Sequence, residues 1–266
     1  MSFAPKGAEG AEGAQLETTE DAVLGGRLRL RQPKRGHRVG HDAILLAAAT
    51  GAKAGEHAID FGAGVGAAGL ALAKRVPGLN VTLVEIDPQL AWLAAENART
   101  NDLGGQVKAL TLDVSAPETF EAAGLKSGSA NRVLMNPPFN NAERQNVSPD
   151  AARRLAHVGG PDTLTLWTAA AARLLGPRGV LTMIWRADEL AQVLQALAPE
   201  FGAIGVLPVH PKPGANAIRV LVRAAKGSRA SLLMYSELYL NDADGNPSFA
   251  AEAVLREAEP LQIAEI

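Results

Sequence analysis

The chain has no cysteine among its 266 residues, which excludes a disulfide framework and a thiolate metal site. It has no apolar run near the roughly 20 residues that a membrane-spanning helix needs. The N-terminus lacks the basic and then apolar layout of a signal peptide. His157 and His210 lack the i, i+4 or carboxylate-neighbour spacing of metal ligands. We therefore expect a cytoplasmic protein without a membrane or metal partner.

The formal net charge of −2 argues against a protein that coats nucleic acid by bulk attraction. Basic residues are nevertheless clustered without any acid in two segments, 27–38 and 212–229. Either segment could contact phosphates, or could be the solvated face of ordinary strands and turns. The candidate substrate-binding residues in these segments are Lys34, Arg35, Arg38, Lys212 and Arg219.

Three regions are expected along the chain. Residues 1–22 are rich in glycine, alanine and glutamate, and they predict a mobile tail because they contain few large apolar side chains. Residues 23–55 predict a strand over 24–31, a turn, and a helix that Asp42 caps. Residues 56–266 predict one α/β domain.

Apolar strands alternate with helical stretches in this domain, which predicts a parallel sheet with helices on both faces. The strands are expected at 57–61, 80–85, 107–112, 131–136 and 179–185, and the helices at 66–76, 88–101, 115–123, 162–175 and 187–198. Three last strand-like runs, at 203–209, 217–224 and 230–235, have no helices between them and predict an antiparallel hairpin. Ligands are expected at the carboxyl ends of the parallel strands.

Gly62, Gly64 and Gly66 follow the first strand of this domain and open an Ala/Leu-rich helix. Glycines allow a ligand to approach the backbone closely, and the helix start supplies N–H donors. The same stretch matches the dinucleotide fingerprint, since Gly64, Gly66 and Gly69 have the required spacing and Glu85 lies about 20 residues further on. The loop alone thus leaves a nicotinamide-dependent dehydrogenase open.

Acidic residues at the strand ends favour a different cofactor. Asp60 directly precedes the loop, where it would repel the pyrophosphate of a dinucleotide but favour S-adenosylmethionine, which has an ammonium, a sulfonium and no phosphate. Glu85 ends the next strand and can accept from ribose hydroxyls, and we expect Ile86 beside it to contact the cofactor too. Asp113 either accepts from the adenine amino group or caps the helix at 115–123.

The fourth strand runs directly into Asn136-Pro137-Pro138-Phe139. The prolines stop the strand and fix the backbone, so the Asn136 side-chain oxygen and the Pro137 carbonyl can face the crevice. Two acceptors holding a conjugated amino group favour a pyramidal nitrogen with its lone pair aimed at a sulfonium methyl. Phe139 offers a flat surface for a displaced base. The alternative is a turn with an Asx-type hydrogen bond.

Together, the loop from Asp60 to Gly66, Glu85 and the Asn-Pro-Pro-Phe motif resemble the class I amino methyltransferases. Flanking segments resemble the bacterial tRNA(Val) adenine-N6 methyltransferase family, whose members modify the adenosine just 3′ of the anticodon. These segments are Arg31-Gln32-Pro33-Lys34, residues 36–47, His210-Pro211-Lys212-Pro213, residues 219–223 and Lys226-Gly227-Ser228-Arg229.

This resemblance implies a Rossmann-like class I methyltransferase fold with a mostly parallel, seven-stranded sheet. It further implies that Asn136 orients the target amine, that Glu85 holds the ribose, and that the segment around Asp42 closes over the cofactor. The implied substrate is an adenine in tRNA. Guanine-N2 in ribosomal RNA and a glutamine amide in a release factor remain alternatives, although enzymes of the latter kind usually have Tyr at the position of Phe139. Oxygen is disfavoured as the acceptor because a hydroxyl needs a base and Asn136 is not one.

Overall fold

The computed structural model describes residues 17–35, 38–138 and 162–265. Its strands are β1 Thr18–Val23, β2 Leu28–Pro33, β3 His57–Phe61, β4 Asn80–Glu85, β5 Val107–Thr111, β6 Ala130–Met135, β7 Leu175–Arg186, β8 Phe201–His210, β9 Arg219–Lys226, β10 Leu233–Met234 and β11 Leu238–Tyr239. Its helices are α1 His41–Ala49, α2 Ala67–Arg75, α3 Pro88–Thr100, α4 Thr163–Leu174, α5 Leu190–Leu197 and α6 Phe249–Leu255.

The central sheet has the predicted architecture. Its seven long strands lie in the order β8-β9-β7-β6-β3-β4-β5, and β9 alone among them runs antiparallel to its neighbours. The expected C-terminal hairpin is therefore present as β8 and β9, with β9 inserted next to β7. The two-residue strands β10 and β11 add parallel pairing to β8.

Helices cover both faces of the sheet, and each face has its own hydrophobic core. One core joins α1, α2, the buried side of α3 and the segment after β11. The other joins α4 and α5 to the opposite side chains of β3, β6 and β7. Buried parallel strands are apolar on both faces, which explains why their runs were visible in the sequence.

The N-terminal region forms a two-stranded antiparallel sheet of its own. β1 pairs with β2 from Thr18 opposite Pro33 to Val23 opposite Leu28. The prediction of a tail to residue 22 is thus wrong for residues 18–22, and residues 1–16 lie outside the described residues. The single strand predicted at 24–31 is also wrong at its start, because Leu24–Gly26 is a 3-10 turn with Gly25 at φ +61°. Pairing with β2 orders a segment whose own composition is polar.

Two further predictions need correction. The helix expected at 115–123 is reduced to a 3-10 turn at Pro117–Thr119, and the following Phe120 is fully buried in the core. The strand expected at 230–235 is present only at Leu233–Met234. The C-terminal segment continues into α6, and Leu261 donates its backbone N–H to the carbonyl of Ala48 in α1 at 2.9 Å. That contact closes the first core over α1.

Candidate active site

The sheet register brings the predicted strand-end residues to one edge. Phe61 pairs with both Val84 and Met135, so the residues that follow β3, β4 and β6 emerge side by side. Glu85 pairs with Thr111 of β5, which brings the segment of Asp113 to the same edge. Carboxyl ends of neighbouring parallel strands form the usual ligand crevice of such sheets.

The glycine loop, residues Gly62–Gly66, turns tightly from β3 into α2. Gly62, Gly64 and Gly66 have φ values of +66°, +56° and +90°, a region that side chains disfavour. The loop is tied to the sheet by the Ala63 N–H, which donates to the Val84 carbonyl at 3.0 Å. A further bond closes the loop on itself, from the Gly66 N–H to the Ala63 carbonyl at 2.8 Å.

The three glycines of this loop face different surroundings. A Cβ on Gly62 would lie 2.6 Å from Cη2 of Trp167, whose ring is buried and packed edge-on against Phe61. A Cβ on Gly66 would meet Leu83 at 2.9 Å. A Cβ on Gly64 would have no atom within 4 Å among the described residues. Gly64 is thus the glycine of the three that leaves open space for a ligand.

Gly62 and Gly64 form a matched pair for a stability test. We expect Gly62→Ala to lower the free energy of unfolding by about 3 kcal/mol, because it adds a clash with Trp167 to the left-handed backbone strain. Gly64→Ala has the strain without the clash and should lose only about 1 kcal/mol. Urea unfolding followed by circular dichroism measures both values. Equal losses would show that Trp167 does not restrict position 62.

Glu85 links the two loops of the crevice. One carboxylate oxygen accepts from the N–H of Gly64 at 2.8 Å and the other accepts from the N–H of Asp87 at 2.9 Å. Burial raises the pKa of Glu85, and the N–H groups of Asp87 and Gly64 oppose that rise. Each carboxylate oxygen can accept more than one hydrogen bond, so both retain capacity for the hydroxyls of a ligand.

Asp60 lies beneath the glycine loop. It is 2% exposed, and its carboxylate accepts from the Gly69 N–H in the first turns of α2 at 2.8 Å. Burial raises the pKa of Asp60 to about 7; the Gly69 N–H opposes the rise and the charge of Glu85 adds to it. Its one described hydrogen bond thus supports the start of α2.

The raised pKa of Asp60 predicts a pH-dependent stability. Since the folded value of about 7 lies above the ordinary 3.8, this group stabilises the fold fully below about pH 4, and the contribution is lost as the pH rises through 7. Asp60→Asn retains an acceptor for Gly69 and does not ionise. Urea unfolding at pH 5 and pH 8 should therefore show that this variant gains stability over the natural protein as the pH rises. A difference that is the same at both pH values would contradict the assignment.

Asn136 and Pro137 follow β6 at the same edge. The side-chain oxygen of Asn136 is buried and has no hydrogen-bond partner within the described residues. Leaving a buried acceptor unpaired costs about 1–3 kcal/mol. An N–H donor from a ligand would remove this cost by forming a hydrogen bond with the oxygen. Pro137 is also buried. Phe139, the predicted stacking surface, lies outside the described residues.

The other predicted cofactor residues have the following partners. The prediction that Asp42 caps α1 is wrong, because the N-cap residue is Gly40 and no side chain among the described residues caps this helix. Asp42 lies in the first turn of α1 and accepts from Nε of Arg219 at 2.9 Å, so these two predicted residues contact each other. One oxygen of Asp113 accepts from the Ser115 N–H at 2.8 Å within a local turn, and the helix at 115–123 that it was alternatively expected to cap is absent from this described part of the chain. Ile86 is 37% exposed next to Glu85. It provides an apolar surface at the crevice.

The residues predicted to contact phosphates differ in whether they form ion pairs within the protein. Lys34 forms an ion pair with Glu17 at 3.4 Å, and Arg38 forms one with Asp21 at 2.6 Å. Arg35 and Lys212 are exposed. Glu17 and Asp21, just before and within β1, therefore supply acids that the basic segment itself lacks.

Sequence reasoning missed two contributors to the site. The sequence analysis gave Trp167 no role in the site, but its ring lies where a side chain at position 62 would be. Asn97 is 1% exposed inside α3 and donates to the carbonyl of Val65 in the glycine loop at 3.0 Å. Asparagine is a poor helix former, so Asn97 in the interior of α3 was a signal that its side chain binds something.

The described ranges contain neither a metal-binding cluster nor a membrane-spanning helix. Residues 17–35, 38–138 and 162–265 contain no cluster of three or more histidine, aspartate or glutamate side chains suited to a metal ion. No helix in the same ranges is both long and apolar enough to cross a membrane.

The chain is similar in sequence to methyltransferases of two kinds. A tRNA1(Val) (adenine(37)-N6)-methyltransferase from Porphyromonas gingivalis is 31% identical over 157 residues, 58% of this chain and 60% of that protein. A release factor glutamine methyltransferase from Moorella thermoacetica is 35% identical over 150 residues, 54% of this chain and 50% of that protein. This chain thus spans less than two thirds of either relative.

The crystal structure of a predicted O-methyltransferase from Agrobacterium tumefaciens superposes with a TM-score of 0.68 at 28% identity, covering 80% of this chain and 94% of that one. The family model described as "Methyltransferase small domain" matches residues 38–210, which include α1, the glycine loop, Glu85 and Asn136. The chain therefore belongs to the methyltransferase small domain family.

Proposed function

We propose that this protein is an S-adenosylmethionine-dependent N-methyltransferase that modifies the N6 amino group of an adenine in tRNA. The observation that carries the proposal is the buried side-chain oxygen of Asn136, which has no partner among the described residues and lies at the carboxyl edge beside the glycine loop. Family membership supports methyl transfer over the dehydrogenase alternative that the loop left open.

The residues of the crevice suit S-adenosylmethionine. When bound, this cofactor supplies an electrophilic methyl group on a sulfonium. Gly64 leaves space for it, the Glu85 carboxylate can accept from its ribose hydroxyls, and Ile86 can contact its adenine. Asp113 retains a carboxylate oxygen that can accept from the adenine amino group. Asp60 adds negative charge below the loop once it is ionised.

Asn136 suits an amine acceptor better than a hydroxyl. Its side-chain oxygen and the Pro137 carbonyl can each accept one hydrogen of an amino group, which directs the nitrogen lone pair away from the conjugated ring. The nitrogen becomes acidic only as the new bond forms, so the orienting residue does not need to be a base. A hydroxyl would need one, and an amide side chain does not take up a proton near neutral pH.

Adenine in tRNA is proposed from the relatives and from surface charge. The Porphyromonas gingivalis relative is named for adenine 37 of tRNA1(Val), and this chain has exposed Arg35 and Lys212 that can contact phosphates. The exposed pairs of Lys34 with Glu17 and of Arg38 with Asp21 are each worth at most about 1 kcal/mol, so phosphates can replace these acids. We propose a cytoplasmic location on the same basis, because a tRNA substrate is found there.

The test is methylation with labelled cofactor. Purified protein is incubated with radiolabelled S-adenosylmethionine and tRNA from a strain that lacks the gene, and the digested nucleosides are separated. We expect label in N6-methyladenosine. As a control, tRNA from the parent strain should accept little label because its site is already modified. Label in guanosine would instead identify a guanine-N2 methyltransferase.

A glutamine amide is the second candidate acceptor, supported by the Moorella thermoacetica relative at 35% identity. An amide nitrogen is also conjugated and has two hydrogens, so the same pair of acceptors can hold it. Incubation with protein extract from the same strain separates the two candidates. Label that resists ribonuclease and stays with protein would replace tRNA as the substrate.

A further inference from the structure

Two asparagines, Asn97 in α3 and Asn101 at the C-cap of α3, hold the β1–β2 hairpin. The side-chain oxygen of Asn97 accepts from the Arg31 N–H at 2.8 Å, and its amide donates to the Arg31 carbonyl at 2.9 Å. Asn101 makes the same pair of bonds with Arg29, at 2.9 and 2.6 Å. Each amide thus satisfies both backbone groups of one residue on the edge of β2 that faces away from β1.

The spacing of this arrangement follows from the geometry of helices and strands. Four residues along a helix advance about 6 Å, and two residues along a strand advance about 6.7 Å. Side chains at i and i+4 of α3 can therefore match alternate residues of β2. Asn97 and Asn101 together make the backbone hydrogen bonds that a neighbouring strand would otherwise make along this edge of β2.

Asn97 differs from Asn101 in its third contact. Its amide also donates to the carbonyl of Val65 at 3.0 Å. The N–H of the same peptide unit, which belongs to Gly66, donates to the carbonyl of Ala63. Both ends of this peptide are thus fixed, and one of them is fixed by a residue that also holds the hairpin. The third bond of Asn101 goes to the backbone of α3 at the carbonyl of Asn97.

We propose that Asn97 is a positioning residue through which docking of the β1–β2 hairpin sets the affinity of the glycine loop for the cofactor. The inference rests on the proposed function, because it requires that the glycine loop binds S-adenosylmethionine. Without the Asn97 amide, the Val65 carbonyl loses this donor, and the Val65–Gly66 peptide is held only through the bond from the Gly66 N–H to the Ala63 carbonyl. The neighbouring Gly64 N–H, which Glu85 holds, would then move with it.

The first test compares Asn97→Ala with Asn101→Ala in the full chain. Both variants lose the two bonds to β2, and only the first loses the bond to the loop. Isothermal titration with S-adenosylhomocysteine should show the Kd rising about tenfold for Asn97→Ala and less than twofold for Asn101→Ala. With saturating cofactor, methyl transfer by Asn97→Ala should return to within about threefold of the natural kcat, giving a KM effect rather than a kcat effect. Equal Kd values for the two variants would overturn the proposal.

The second test uses the natural protein and decides the matter if Asn97→Ala does not fold. Amide hydrogen exchange is measured with and without S-adenosylhomocysteine. The Arg31 N–H donates to Asn97 and the Arg29 N–H donates to Asn101. Binding should slow exchange at the Arg31 N–H several-fold more than at the Arg29 N–H. Equal slowing at both amides would refute the link. A natural protein that binds neither S-adenosylmethionine nor S-adenosylhomocysteine would instead refute the proposed function, and this inference with it.

Discussion

Asn136→Ala should lower kcat for methyl transfer by about 10²- to 10³-fold and leave the Kd for S-adenosylmethionine within about twofold. The side-chain oxygen removed is a buried acceptor with no partner in the described residues, so its loss disrupts no hydrogen bond described in the free protein. The loss of this oxygen would affect the target amine, because the orientation of the amine then depends on the Pro137 carbonyl alone. Single-turnover methylation and isothermal titration measure the two quantities separately.

Strand β6, which directly precedes Asn136, offers a matched control for this variant. Asn131 lies at the opposite end of β6, where its side-chain oxygen accepts from the His57 N–H at 2.9 Å. Asn131→Ala removes the same chemical group at the end of β6 that lies away from the crevice. It should reduce stability by about 1 kcal/mol and leave kcat unchanged. Near-natural turnover by Asn136→Ala would show that the amine is oriented by other groups.

The sequence predicted which edge of the sheet carries the candidate site, because each candidate residue lies at the end of a strand. β3, β4 and β6 are short apolar runs; a glycine loop follows β3, β4 ends in the acid Glu85, and Asn136 follows β6. In a parallel sheet such residues emerge at one edge whatever the strand order. The positions of Gly62, Glu85 and Asn136 in the fold could therefore be predicted without knowledge of any long-range contact.

Contacts between distant parts of the chain could not be predicted in this way. Gly62 was assigned to close approach of a ligand, but the atoms nearest to its missing Cβ belong to Trp167, more than 100 residues away. Asp42 and Arg219 were assigned separately to cofactor and substrate, and the structure pairs them at 2.9 Å. Side-chain type and local spacing give no information on such partners.

Local composition also misled where tertiary packing decides the structure. Thr18–Val23 has few apolar side chains, yet it is a strand because the edge of β2 supplies its backbone hydrogen bonds. The stretch at 115–123 contains good helix formers, but it forms only the 3-10 turn at Pro117–Thr119 and buries Phe120. Intrinsic propensity is worth a few tenths of a kcal/mol per residue, which one buried aromatic side chain outweighs.

Replacement of Glu85 should have the largest effect on cofactor affinity. We expect Glu85→Ala to raise the Kd for S-adenosylmethionine by about 100-fold, because it removes the acceptor for the ribose and releases the Gly64 N–H. Glu85→Gln should bind S-adenosylmethionine nearly as weakly as Glu85→Ala. Both oxygens of Glu85 accept from backbone N–H groups, so the amide of Gln would place a donor against the N–H of Gly64 or of Asp87.

Asp87→Ala is the control for this pair. Asp87 caps α3 by accepting from the Gln89 N–H at 2.8 Å, so its loss should cost about 1 kcal/mol of stability, while its backbone N–H still donates to Glu85. Its Kd should stay within about threefold of the natural value. Isothermal titration of the three variants thus separates a carboxylate required for binding from a general loss of acidic charge at the end of β4. Tight cofactor binding by Glu85→Gln would mean that one acceptor oxygen is sufficient and that the second backbone N–H can do without a partner.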